Sequence, residues 1–123
     1  MKSKPSKRSL ASLTALACGD SYGSYYEEDG LIGCRFNIEK LPNKPITKRV
    51  TDDTKMATIL LEHYLKYKTI DIKKLTLSYK FWAKEDGVKD GIGRHTSAIL
   101  FNAKTDKDSQ GNGALMRNIP FGI

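Results

Sequence analysis

Thr51-Asp52-Asp53-Thr54 is the stretch of this chain whose residue types can do chemistry. Two adjacent carboxylates sit between two hydroxyls, where a loop gives way to the apolar run Met56 to Leu65. Neighbouring aspartates repel, and Asp is a poor strand former, so the pair needs a neutralising environment. Two readings meet that need. In one, Thr51 or Asp52 caps a helix and the acids favour the positive end of its dipole. In the other, the acids hold divalent cations. Successive residues in a helical turn point about 100° apart. Asp52 and Asp53 can therefore grip two metals from one corner, with a threonine hydroxyl as a neutral oxygen ligand. Oxygen-only donors select hard ions, Mg²⁺, Mn²⁺ or Ca²⁺, over zinc.

The elements that must position these residues read as helices. Residues 1–8 form a loose basic arm, Met-Lys-Ser-Lys-Pro-Ser-Lys-Arg, and Ser9 is a plausible N-cap. Leu10, Leu13 and Ala17 follow at helical spacing. This helix is rich in small residues, and Gly19 and Gly23 each cost a helix interior about 1 kcal/mol. Two of them predict close backbone approach, to another helix or to a ligand. Asp20 and Glu27 stand seven residues apart, two helical turns, which puts both carboxylates on one side; the plainer reading is surface polarity at a helix end. Residues 30–50 show no sustained period and read as a long loop. Thr51 to about Tyr67 gives the clearest helix, with Met56, Ile59, Leu60, His63 and Tyr67 on one face. His63 reads as a packed or surface histidine rather than a ligand. Ile72, Leu75, Tyr79 and Trp82 predict a third helix ending near Lys84, closed by Glu85-Asp86-Gly87.

Two glycine-rich turns follow. Gly91-Ile92-Gly93-Arg94 and Gly111-Asn112-Gly113-Ala114 each lead into a short helical stretch. Such turns let backbone N–H groups approach a phosphate at a helix start, and plain helix capping explains them equally well. Neither has the third glycine and preceding strand of a dinucleotide-binding fingerprint.

Composition narrows the class. At 123 residues the chain is one domain or a piece of one. No run reaches the ~18 apolar residues of a membrane span, and no secretory leader is evident. Two cysteines, Cys18 and Cys34, without other secretory signs fit a reduced, cytoplasmic chain. The net charge of +7 comes from scattered lysines and arginines without an interleaved aromatic stripe, which argues against nucleic acid and fits anionic small ligands.

Four ordered motifs carry a resemblance. Gly19-Asp20-Ser21-x-Gly23-x-x-x-Glu27, Thr51-Asp52-Asp53-Thr54-x-Met56, Gly91-x-Gly93 and Ser109-x-Gly111-Asn112-Gly113-Ala114-x-Met116-Arg117-x-x-Pro120 resemble the N-terminal part of the ADP-ribosylglycohydrolase family, the enzymes related to dinitrogenase reductase-activating glycohydrolase. The resemblance implies an all-α fold with two Mg²⁺ or Mn²⁺ ions, which cleaves the N- or O-glycosidic bond between ADP-ribose and a modified target. It implies that Thr51, Asp52 and Asp53 are metal ligands, with Asp52, Asp53 and Glu27 as catalytic groups. Glu27 would lie at the mouth of the metal site. Gly91 and Gly93 would line the ADP-ribose cleft, and Ser109, Gln110, Gly111, Asn112 and Gly113 would cradle the diphosphate and adjoining ribose. The family's second ligand set, an Asp-x-Asp-Thr, has no counterpart after Asn112 here. The expectation is therefore a partial, apparently truncated domain over residues 9–123. Alone it would be inactive, completed by a second chain or by self-association, or it would survive as a non-catalytic binder of ADP-ribose or of a protein.

Overall fold

The computed structural model describes residues 4–28, 49–104 and 113–121. Among them every regular element is helical and there is no strand. Helix α1 spans Lys7–Glu28. It starts inside the basic stretch rather than after it. An N-cap hydroxyl needs a free N–H two or three positions on, and Ser6 finds one: its Oγ accepts the Ser9 N–H at 3.0 Å. The Leu10 N–H bonds to the Ser6 carbonyl, also at 3.0 Å. The cap expected at Ser9 thus sits three residues earlier.

Helix α2, Asp52–Tyr67, buries Met56, Ala57, Leu60, Leu61 and His63. Spaced at three and four residues, they form the apolar stripe that faces a core. Tyr67, at the end of that face, packs its ring 4.8 Å from that of His63 and is 37% exposed. Lys68 takes a left-handed conformation (φ 60) and its N–H returns to the Tyr64 carbonyl at 2.7 Å. Helix α3, Ile72–Trp82, buries Leu75, Tyr79 and Trp82 against α2. The Tyr79 hydroxyl donates to the Met56 carbonyl at 3.1 Å, which locks the two helices in register. His63 is buried, and its Nε2 accepts the Asp71 N–H at 3.1 Å, so it fixes the α2–α3 turn.

One π turn, Ala83–Gly87, follows α3. The chain then folds back through residues 88–93 into the short helix α4, Arg94–Leu100. Gly91 has φ +82, a conformation in which a side chain is strained. The last described elements are α5, Gly113–Met116, and a 3₁₀ turn, Ile119–Phe121, which packs on α1 and α2. Met56, Leu60, Leu75, Tyr79, Trp82, Ala83, Leu100 and Met116 form one core. Met56, 1% exposed, is the largest fully buried side chain; removing a side chain of its size from water contributes about 1.5–3 kcal/mol. No helix among the described residues is long and apolar enough to cross a membrane.

Candidate functional site

The first turn of α2 lies at the edge of this core, and its free N–H groups are served from elsewhere in the chain. Thr51 occupies the N-cap position with an extended backbone but makes no side-chain cap bond. Asp20, one wall away on α1, supplies the acceptors. Its Oδ1 accepts the Thr51 hydroxyl at 2.5 Å, and its Oδ2 accepts the Thr51 N–H at 2.8 Å. The same Oδ2 accepts the Thr54 hydroxyl at 2.5 Å and the Thr54 N–H at 3.3 Å. One buried carboxylate therefore caps a helix 31 residues away.

A second brace comes from the turn after α3. The Asp52 N–H donates to the Asp90 carbonyl at 2.8 Å. The Asp90 carboxylate is itself buried, and its Oδ2 accepts the Trp82 indole N–H at 2.8 Å. Arg49 adds a bond from Nη2 to the Lys89 carbonyl at 3.1 Å. Two rigid elements thus set the direction of the Thr51-Asp52-Asp53 corner. The reading in which Thr51 or Asp52 caps α2 is corrected: the Thr51 hydroxyl is turned to Asp20, and the Asp52 carboxylate accepts the Gly93 N–H.

Burial pushes the Asp52 carboxyl up to about 6; the neighbouring Asp53 charge adds to this and Asp20 contributes further, while the Gly93 N–H acts in the opposite direction. The donors available in the cleft, two carboxylates and a hydroxyl, are all hard oxygens, and their chemistry fits a hard divalent cation. The set is partial. Among the described residues no three or more His, Cys, Asp or Glu form a group able to hold a metal ion, and both Asp20 oxygens are taken up by the four donors of Thr51 and Thr54.

Thr51, Asp52 and Asp53 line a cleft of about 1360 Å³. On one side α1 presents Gly19 and Gly23. Nothing stands within 4 Å of where a Cβ on either glycine would lie, so among the described residues no neighbouring backbone packs onto them. Among the described residues no other helix approaches them, which leaves the second expectation, approach to a ligand, and both glycines do line the cleft. On the other side, Gly93, Arg94 and His95 bring the start of α4 to the same volume. Gly113 and Arg117 complete it. The Arg117 Nε donates to the Gly113 carbonyl, and the guanidinium lies 5.7 Å from the centre of the Tyr79 ring.

The fold therefore brings Thr51, Asp52, Asp53, Gly93 and Gly113 together on one cleft. Gly91 does not line it and forms the left-handed turn behind it. Glu27 belongs to the last turn of α1, and its side chain lies outside what the structure describes, as do Ser109, Gln110, Gly111 and Asn112. Asp20 faces the start of α2; its expected pairing with Glu27 falls outside the described side chains. The signal that points to Asp20 is the Thr-x-x-Thr spacing: hydroxyls at the cap position and three residues on face one acceptor. The roles of Asp90 and Arg117 have no local signature.

Comparison with curated proteins and with solved structures gives no match. A sequence model of the ADP-ribosylglycohydrolase family matches residues 1–123, which includes every residue that builds the cleft. The chain belongs to the ADP-ribosylglycohydrolase family.

Proposed function

We propose that this chain binds an ADP-ribose group in the cleft between α1, α2 and α4 and contributes the Thr51-Asp52-Asp53 corner to a dinuclear Mg²⁺ or Mn²⁺ centre that hydrolyses the glycosidic bond to a modified target. The observation that carries this reading is the adjacent pair Asp52 and Asp53, with the Asp52 carboxyl pushed up to about 6, held by remote contacts at the edge of a cleft large enough for a nucleotide. Divalent ions bound there would polarise ribose hydroxyls and activate a water. The chain's own residues would do the rest. The Gly93 N–H orients Asp52. Arg94, Lys104 and Arg117 line the cleft and place positive charge where a diphosphate would need it. By the family resemblance, Ser109 to Asn112 would contact the diphosphate, and Glu27 would stand at the mouth.

A second reading is binding without turnover: the donors that the described residues bring to the corner are part of a shell, and half a ligand shell cannot fix two ions in a catalytic geometry. A second chain or a second copy of this one would then be the source of further carboxylates. Leu77, Phe81 and Val88, 65%, 71% and 90% exposed, offer apolar surface for such an association.

Calorimetric titration with ADP-ribose, with and without Mn²⁺, tests both readings. Binding that needs Mn²⁺ and disappears in Asp52→Ala/Asp53→Ala is the expected result, and release of free ADP-ribose from a modified substrate separates the enzyme from the binder. Absence of binding under either condition would overturn both.

A further inference from the structure

The four hydrogen bonds to Asp20 do more than close a helix end. An ionised carboxylate only accepts hydrogen bonds, so a hydroxyl facing it must donate. Thr51 faces Asp20 through both its N–H and its hydroxyl. Its single hydroxyl proton is committed to Oδ1, and the oxygen makes no cap bond to its own helix. Two lone pairs remain on an atom of a residue that lines the cleft. A carboxylate that draws on the proton also raises the donor strength of the oxygen, as partners behind a metal ligand do. Thr54, whose hydroxyl meets the same Asp20 oxygen, is buried and does not line this cleft.

We propose that Asp20 is a positioning residue for the cation corner: by accepting the Thr51 hydroxyl and N–H, it fixes the Thr51 oxygen as an electron-pair donor to a hard divalent cation. The proposal rests on the reading of Thr51, Asp52 and Asp53 as that corner; Asp20 lines the same cleft, but both its oxygens are turned to Thr51 and Thr54, and it is assigned a supporting role rather than a ligand's. Asparagine at this position would keep the shape but present an N–H₂ group on one side. Facing Thr51, that group would donate to the hydroxyl, occupy a lone pair and turn the proton toward the cleft. The polarity of the ligand would be reversed with little change in volume.

A charge change alone would also weaken cation binding, so the test is a double-mutant cycle on the full chain with Mn²⁺ alone as the probe. Free Mn²⁺ is read by electron paramagnetic resonance for the wild type, Asp20→Asn, Thr51→Ala and the double variant. Urea unfolding of each metal-free protein is measured alongside. The expected result is that Asp20→Asn weakens Mn²⁺ binding about ten-fold or more, yet changes it by less than about two-fold when Thr51 is already alanine. Equal weakening in both backgrounds would mean that Asp20 acts through its charge or through the helix alone, and would overturn the proposal. Unchanged Mn²⁺ affinity in Asp20→Asn would overturn it as well. Thr54→Val is the milder companion: it removes the other hydroxyl from Asp20 and is expected to lower the unfolding midpoint while leaving Mn²⁺ affinity in place. Loss of Mn²⁺ binding there would show that helix order, not the Thr51 oxygen, is what Asp20 controls. A wild type that binds no Mn²⁺ would fail differently, since all proteins would then behave alike; that outcome would overturn the metal reading and the proposal with it.

Discussion

Helices α2 and α3 both begin with an aspartate, and the two starts are electrostatic opposites. At α3, Asp71 sits at the N-cap, its Oδ1 accepts the Lys74 N–H at 3.1 Å, and the Lys74 ammonium lies 3.5 Å from its other oxygen. These contacts, the Lys74 N–H first, hold its carboxyl below the usual range. At α2, Asp52 and Asp53 stand side by side in the first turn, and burial together with the Asp53 charge pushes Asp52 up to about 6. A helix start that merely needs a cap looks like Asp71: local, exposed and satisfied within three residues. The α2 start delegates its capping to Asp20 and Asp90, which leaves Asp52 and Asp53 turned toward the cleft. An acid freed from capping and disfavoured as a carboxylate is the feature on which the proposed cation site rests.

The sharpest way to break this contrast is to remove the remote cap. Asp20→Ala strips the acceptor from the hydroxyls and backbone N–H groups of half-buried Thr51 and buried Thr54. Donors left unsatisfied in a buried place cost about 1–3 kcal/mol each, with partial relief by water. We expect a loss of about 2–4 kcal/mol in urea unfolding followed by far-ultraviolet circular dichroism. A loss no larger than that of Asp71→Ala would mean that the two helix starts are held alike.

Next in size is the cation linkage. If the corner binds Mn²⁺, saturating ion should raise the melting temperature of the wild type by mass action, and Asp52→Asn/Asp53→Asn should abolish the shift. The shift should grow as pH rises through about 6, since a protonated Asp52 is a poor ligand. A shift that is independent of pH, or that survives in the variant, would place the ion elsewhere.

Much of this architecture is written in local sequence. The 3.6-residue stripe of Met56, Leu60 and His63 predicts α2, and Leu75, Tyr79 and Trp82 predict α3, because periodic burial is a short-range property of a helix. The Asp-Asp pair and Gly93 stood out as candidates because their residue types are unusual where they stand, and the fold brings them to one cleft. What escaped is non-local. Nothing near Asp20 announces that Thr51 lies across from it, and Asp90 gives no hint that its carboxylate will meet the Trp82 indole while its carbonyl holds Asp52. Ser6 and Ser9 are equivalent as residue types, and only the bond from the Ser9 N–H to Ser6 decides which one caps α1. Gly19 and Gly23 signalled close approach by composition, to a helix or to a ligand, and only the fold shows that they line a cleft.

The smallest expected effect is the pH dependence of the metal-free protein, and here the two aspartates should pull in opposite directions. Asp52 binds its proton more tightly folded, at about 6, than at the ordinary value of 3.8. Its contribution to stability is therefore full below 3.8 and is lost as pH rises through about 6. Asp71, held below 3.8 when folded, contributes above that value, and its share is lost as pH falls through the lowered value. Asp71 is solvent-exposed, so screening makes its share the weaker of the two. Unfolding midpoints from pH 3 to pH 7 should thus decline between about 4 and 6 in the wild type, and that decline should flatten in Asp52→Asn. Asp71→Asn should leave the decline in place and soften only the acid limb. A wild-type profile that rises from pH 4 to pH 6 with Asp52 intact would show that the start of α2 is compensated after all, and the contrast between the two helices would collapse.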